Sequence, residues 1–226
     1  MMFHEVYFSM SQIQDLLTAA FQAFDEDRLD EAEALYHQCL VLVPDHDSDD
    51  YRHTIHMIAF VKSHQGDYAE ATRLYTELRD SAHQRGDHIA EAVALHQLGM
   101  VERLAARYPA ALDYFTQERQ LLQAHFPQHW MHFSANSYER GYIAFLMGDL
   151  PLAEDWMRRA LAEAEQAADP ICRGCAQRGL GEISAGSGDF HAAGQHFTAS
   201  AAAFRAAGNE HGAAQVEALR AGLPSL

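Results

Sequence analysis

The sequence predicts an all-α chain built from stacked helix pairs, and three observations carry that reading. A phrase recurs at nearly constant spacing, the stretches between copies have helical periodicity, and the composition suits helices. The clearest copy is Gly66-Asp67-Tyr68-Ala69-Glu70-Ala71, followed four residues later by Tyr75. It returns as Ala106-Arg107-Tyr108-Pro109-Ala110-Ala111 with Phe115, as Gly148-Asp149-Leu150-Pro151-Leu152-Ala153 with Met157, and as Gly188-Asp189-Phe190-His191-Ala192-Ala193 with Phe197. A weaker first copy is Asp27-Arg28-Leu29-Asp30-Glu31-Ala32 with Tyr36. The marker alanines 32, 71, 111, 153 and 193 lie 39, 40, 42 and 40 residues apart. A fixed period in the range of about 30–45 residues marks a protein of stacked supersecondary units. With only 6 prolines and few β-branched runs, nothing opposes a nearly all-helical chain.

The chain in order supports the same frame. Residues 1–10 stand outside the repeat register, and Met1 to Phe8 reads as a lead-in strand or tail. Ser11-x-x-Gln14 resembles a capping box, opening a first helix that runs to about Phe24. A second helix spans about Leu29 to Val43 and stops at Pro44. Asp45 to Asp50 lacks the sixth-position Gly and twelfth-position Glu of a calcium loop, and reads as a helix N-cap. The following helices are expected over Tyr51–His64, Tyr68–Gln84, His88–Ala105, Tyr108–His125, Pro127–Met147, Leu150–Ala168, Ile171–Ala185 and Phe190–Ala207. After the C-cap signal Gly208-Asn209, Glu210–Ala221 forms a solitary helix covering the open end. The repeats fall at about 11–46, 47–86, 87–126, 127–168 and 169–208, with 209–226 as capping helix and tail.

Within the recurring phrase, a turn ends one helix and a small Ala permits close crossing. The large residue four positions on lies on the same face as that Ala. This pattern resembles the tetratricopeptide repeat (TPR), with its second-helix A-x-x-x-F and first-helix W-x-x-L-G-x-x-Y. The first-helix half survives as Leu95-x-x-Leu98-Gly99, as Leu180-Gly181 and as Gly141 alone; no copy has the Trp. The resemblance covers roughly residues 11 to 206, in a variant with repeats near 40 residues. It implies a right-handed superhelical solenoid of five helix pairs plus a capping helix, whose first helices line a concave ligand surface. Long-repeat TPRs of this kind are similar to those of bacterial peptide-sensing regulators. Those regulators carry a DNA-binding helix-turn-helix ahead of the repeats, for which residues 1–10 leave no room. The chaperone-binding TPRs clamp a carboxylate with Lys and Asn; here Lys62 is the only lysine, so that feature does not carry over.

Charge narrows the partners. The formal net charge of −16 disfavours direct nucleic-acid binding and anionic membrane surfaces. No stretch reaches the ~18 apolar residues of a membrane span, and Met1 to Met10 has no basic region of a secretory signal. Three cysteines make no disulfide framework, so a cytoplasmic protein is expected.

Projecting the repeat frame, the groove receives Phe21 and Phe24, then His53, His56, Phe60 and His64. His96, Met100 and Arg103 follow, then Tyr138, Tyr142 and Phe145, then Arg178 and Glu182. Such a trough suits a peptide with apolar side chains, with Arg103 or Arg178 taking a carboxylate. The competing reading assigns several of these aromatics to the inter-repeat core. His53 with His56, and His125, His129 and His132, have the spacing of metal ligands on a helix, but neither cluster shows His-Glu-x-x-His, and exposed helix histidines are the preferred reading. Cys172-x-x-Cys175 would be redox-active only with a lowered thiol pKa; small residues at a helix crossing are preferred. No P-loop, dinucleotide fingerprint or catalytic order is present, and Gly181 to Gly188 only imitates a glycine loop. The expectation is therefore a non-enzymatic protein- or peptide-binding scaffold, without cofactor or bound metal, in one form sensing a small signalling peptide. A metal-binding or hydrolytic protein using the histidines, and a self-assembling adaptor forming a homodimer, are the alternatives.

Overall fold

The computed structural model describes residues 2–43 and 45–224, with side chains from Gln12 onward. The described residues form eleven helices and no strand. These are α1 (Met2–Asp25), α2 (Leu29–Leu42), α3 (Asp49–His64), α4 (Tyr68–Arg85), α5 (His88–Leu104), α6 (Tyr108–His125), α7 (Trp130–Leu146), α8 (Leu150–Ala167), α9 (Pro170–Gly186), α10 (Phe190–Ala206) and α11 (Glu210–Ala221). They fall into two compact units, residues 1–111 and 112–226.

Local chemistry explains each turn. Five of the turns contain a left-handed glycine, for example Gly148 at φ 79° and Gly188 at φ 85°. Asp27, Ala106 and Ala168 fill the same role with a side chain. In most turns the residue that follows caps the next helix. Asp67, Asp87, Asp149, Asp169, Asp189 and Asn209 each accept a hydrogen bond from the amide three residues on. Ser48 does the same for Tyr51, so the acidic stretch around it is a cap as its composition implied.

The recurring Ala and large residue are interior positions in every copy. Ala32 and Tyr36, Ala71 and Tyr75, Ala111 and Phe115, Ala153 and Met157, and Ala193 and Phe197 are all buried. Each such large side chain contributes about 1.5–3 kcal/mol by leaving water. First-helix glycines let the pairs close. A Cβ at Gly181 would stand 2.5 Å from the Phe197 ring, and one at Gly141 would stand 3.1 Å from Met157 Cγ. The L-G and A-x-x-x-F halves of the repeat are thus two sides of one contact.

Two expected boundaries differ. α1 spans Met2–Asp25 and runs through Ser11, so no helix starts at the expected Ser11-x-x-Gln14 position and the lead-in is helix, not strand or tail. α7 begins at Trp130, three residues after Pro127. Proline disfavours helical backbone at the residue before it, and the chain turns there: the Phe126 amide still donates to Leu122 O, while His129 donates to Phe126 O. The stop assigned to Pro44 lies outside the described residues.

Candidate functional site

In the first unit the α3 residues expected to line a groove share one face, since His53, His56, Phe60 and His64 follow helical spacing. The Phe60 ring centroid lies 5.0 Å from Phe24 and 4.5 Å from His64. Phe24 meets His64 edge-on at 5.1 Å, so α1 and α3 share a three-ring cluster. Phe21, one turn earlier on α1, is exposed. His56 stands edge-on to Tyr75, whose hydroxyl donates to the His56 carbonyl at 3.2 Å. Burial, with His53 adding to it, pushes the His56 imidazole down to about 4. His53 and His56 open onto a cleft of about 410 Å³ whose apolar side is Met57, Leu78 and Val93. His96, Met100 and Arg103 are partly exposed on α5 and do not line that cleft.

In the second unit the structure brings together all five expected residues. Tyr138 and Tyr142 are nearly parallel at 6.0 Å, and Phe145 continues the ladder at 6.2 Å. From the neighbouring α9, Arg178 Nε lies 3.4 Å from Glu182 Oε1. Burial raises the Glu182 carboxyl, with Arg178 opposing, and burial raises the Tyr138 hydroxyl likewise. Arg178 Nε and Glu182 Oε2 have no hydrogen-bond partner among the described residues. An Arg-carboxylate receptor was expected at Arg178; its charge already faces Glu182. The aromatics serve two roles, because Tyr138, Tyr142 and Phe145 also pack against the buried cluster of Ala144, Met157, Leu180 and Ile183.

The other clusters resolve as follows. His129 and His132 stand edge-on at 4.5 Å, with His129 as the residue preceding α7 and His125 at the end of α6. Among the described residues no three His, Cys, Asp or Glu side chains gather as metal ligands. Burial pushes the Cys172 thiol up to about 12 and raises Cys175 too, the reverse of a redox pair. Sequence reasoning missed a polar layer between α6, α7 and α8. Buried Glu163 accepts from Arg119, Arg159 and Ser137, and buried Asn136 donates to Glu118 Oε2 and Phe115 O. The signal was the small-residue spacing Ser134, Ser137 and Gly141, which marks the α7 side that neighbours approach most closely.

Residues 51–124, within this helix-pair array, match the family model described as tetratricopeptide repeat. The chain carries tetratricopeptide repeats. Solved structures extend the likeness over the other helices. BtubC (BKLC) from P. vanneervenii superposes with a TM-score of 0.65 at 18% identity, covering 92% of this chain and 85% of that one. A thermophilic TPR protein from Thermus thermophilus gives 0.60 at 18% identity, covering 93% and 98%. A putative kinesin light chain with nearly identical TPR-like repeats, from Podosopora anserina, gives 0.59 at 14% identity, covering 85% and 95%. These likenesses establish the TPR-like solenoid fold. No curated protein gives a significant match. TPR folds generally mediate protein–protein interaction, through the extended surfaces that stacked repeats create. No described helix is long and apolar enough to cross a membrane.

Proposed function

We propose that this chain is a non-enzymatic scaffold that binds a protein segment or peptide on the exposed faces of its first helices. In the first unit the ligand side chains are His53, His56, Phe60 and His64, with His96, Met100 and Arg103. In the second they are Tyr138, Tyr142 and Phe145, with Arg178 and Glu182. One contrast carries the reading. The large residues of the second helices (Tyr36, Tyr75, Phe115, Met157, Phe197) are no more than 2% exposed, whereas Phe60, Tyr138, Tyr142 and Phe145 on the first helices all remain partly exposed. Aromatic side chains left partly in water are what a bound chain would cover.

The finer form is a short peptide with apolar anchors, sensed in a reducing cytoplasm, where the three free cysteines are at home. Covering one aromatic anchor contributes about 1.5–3 kcal/mol, at least tenfold in affinity. The test is selection from a random peptide library, followed by titration against Phe60→Ala and Tyr142→Ala. Tenfold or greater loss in one variant, with an unchanged circular dichroism spectrum, supports the reading. Equal affinity in both variants, or no selected peptide at all, refutes it.

A further inference from the structure

We propose that Arg140 anchors a second site, distinct from the peptide face and independent of it, that takes the phosphate group of a ligand. Arg140 leaves α7 roughly 160° away from Tyr138 and Tyr142. It reaches α6 and α8, while Tyr138 faces Arg178 and Cys175 of α9.

Three observations build the site. First, the guanidinium is held in place by neutral acceptors: Nε donates to Asn136 Oδ1 at 3.1 Å, and Nη2 donates to Thr116 Oγ1 at 2.7 Å. Asn136 is itself buried and fixed by its bonds to Glu118 and Phe115 O. The orientation of Arg140 therefore does not depend on a bound anion.

Second, no carboxylate bonds the guanidinium directly. Among the described residues Arg140 forms no ion pair, and Nη1 with one N–H of Nη2 is left without a protein acceptor. The nearby carboxylate Glu163 is already occupied by Arg119, Arg159 and Ser137. Burial, and with it the field of Arg119, lowers the Arg140 pKa; the Glu118 carboxylate supports the charge and Arg159 opposes it. An incoming anion would relieve that opposition.

Third, the surroundings are cationic in a chain of net charge −16. Trp156 has Arg140 at 5.1 Å and Arg159 at 5.3 Å from its ring. Thr116 is exposed, which places the Nη end of Arg140 at the surface. A fixed planar fork with paired N–H donors matches phosphate oxygens. A phosphate group of charge about −1.5 to −2 answers two guanidinium groups better than a single carboxylate does.

The shared chemistry fits free phosphate or a phosphorylated side chain, and the experiment separates them. The full chain is titrated by calorimetry at constant ionic strength with inorganic phosphate, with a short phosphoserine peptide and with its unphosphorylated twin. Saturable binding of either phosphate probe, weakened at least tenfold by Arg140→Gln and less by Arg140→Lys, is expected. Arg158→Gln, which alters an exposed charge paired with Glu154 on the same helix α8, should leave binding unchanged. Tighter binding of the phosphopeptide assigns the site to modified protein partners; tighter binding of phosphate assigns it to a small anion. Non-saturable heats, equal binding by Arg140→Gln, equal losses from Arg140→Gln and Arg158→Gln, or equal binding of the unphosphorylated peptide would each overturn the proposal. Circular dichroism spectra separate these outcomes from misfolding, since glutamine still donates to Asn136.

Discussion

The α9–α10 contact makes a sharp demand on Gly181. In Gly181→Ala the added Cβ would lie 2.5 and 2.6 Å from Cε1 and Cδ1 of Phe197, far inside ordinary contact at 3.4–4 Å. The ring must withdraw by about 1 Å, as that contact distance requires. It has no room, because Phe197 is 2% exposed and sits in a cluster with Ala193, Ala201, Phe204, Ala213 and Val216. Overpacking of this kind costs about 1–3 kcal/mol, and the confined ring argues for the upper end. Replacing a helical glycine by alanine returns about 1 kcal/mol, leaving roughly 2 kcal/mol of net destabilisation. Gly186 is the control on the same helix. Its Cβ would meet Phe145 at an ordinary 3.6 Å, so Gly186→Ala should stabilise by about 0.5 kcal/mol. Urea unfolding followed by circular dichroism reads both, and hydrogen exchange in α10 localises the first. If Gly181→Ala unfolds at the same or higher urea than the parent, the close-approach account of the repeat glycines is wrong.

Further expectations follow from the same geometry. Ala168 occupies the left-handed region at φ 52°, so Ala168→Gly should stabilise by up to about 1 kcal/mol, read as a higher urea midpoint, unlike a typical change to glycine. Glu163→Gln should destabilise by about 3 kcal/mol, because Arg119, itself only 12% exposed, loses its carboxylate; adding Arg119→Met should recover part of the loss in a double-mutant cycle. The folded pKa of His56, about 4, lies below its unfolded value near 6.5, so the unfolded chain takes the proton first as pH falls. Its contribution is complete above about pH 6.5 and is lost toward pH 4, about 2 kcal/mol by pH 5; His56→Gln should flatten that part of the urea-midpoint profile. Native Cys172 and Cys175 should react with a thiol reagent at pH 8 far more slowly than in urea, and equal rates would contradict their raised thiol pKa values.

What the sequence made legible was whatever depends on a few consecutive residues. Gly-Asp turns, caps and the Ala/large pair are local, so Gly188, Asp189, Ala193 and Phe197 fall where the period put them. Helix starts without such punctuation were less legible: nothing between Met2 and Ser11 stops a helix, and Pro127 opens a turn before it opens α7. Side-chain roles that depend on a neighbouring helix were least legible. Nothing in the local sequence marks Glu163 and Glu118 as interior, yet both are buried, with partners 18 to 44 residues away on other helices. The Arg178–Glu182 pair is different: its spacing of four on one helix lay within reach of the sequence, which instead assigned Arg178 to a ligand carboxylate.

The two proposed sites share one helix. Tyr138 and Tyr142 look toward α9, while Ser137 and Arg140 look toward α6 and α8, so α7 carries a partly exposed aromatic face and a polar face. Packing of the small residues Ser134, Ser137 and Gly141 fixes the helix between them, with Ser134 donating to Ala160 O at 2.8 Å. Because that spine stands between the faces, the two binding tests are separable. Tyr142→Ala should weaken a selected peptide and leave phosphate binding unchanged, and Arg140→Gln should do the reverse. Mutual loss in both variants would overturn the independence of the two faces, because α7 would then move as a body when either is altered.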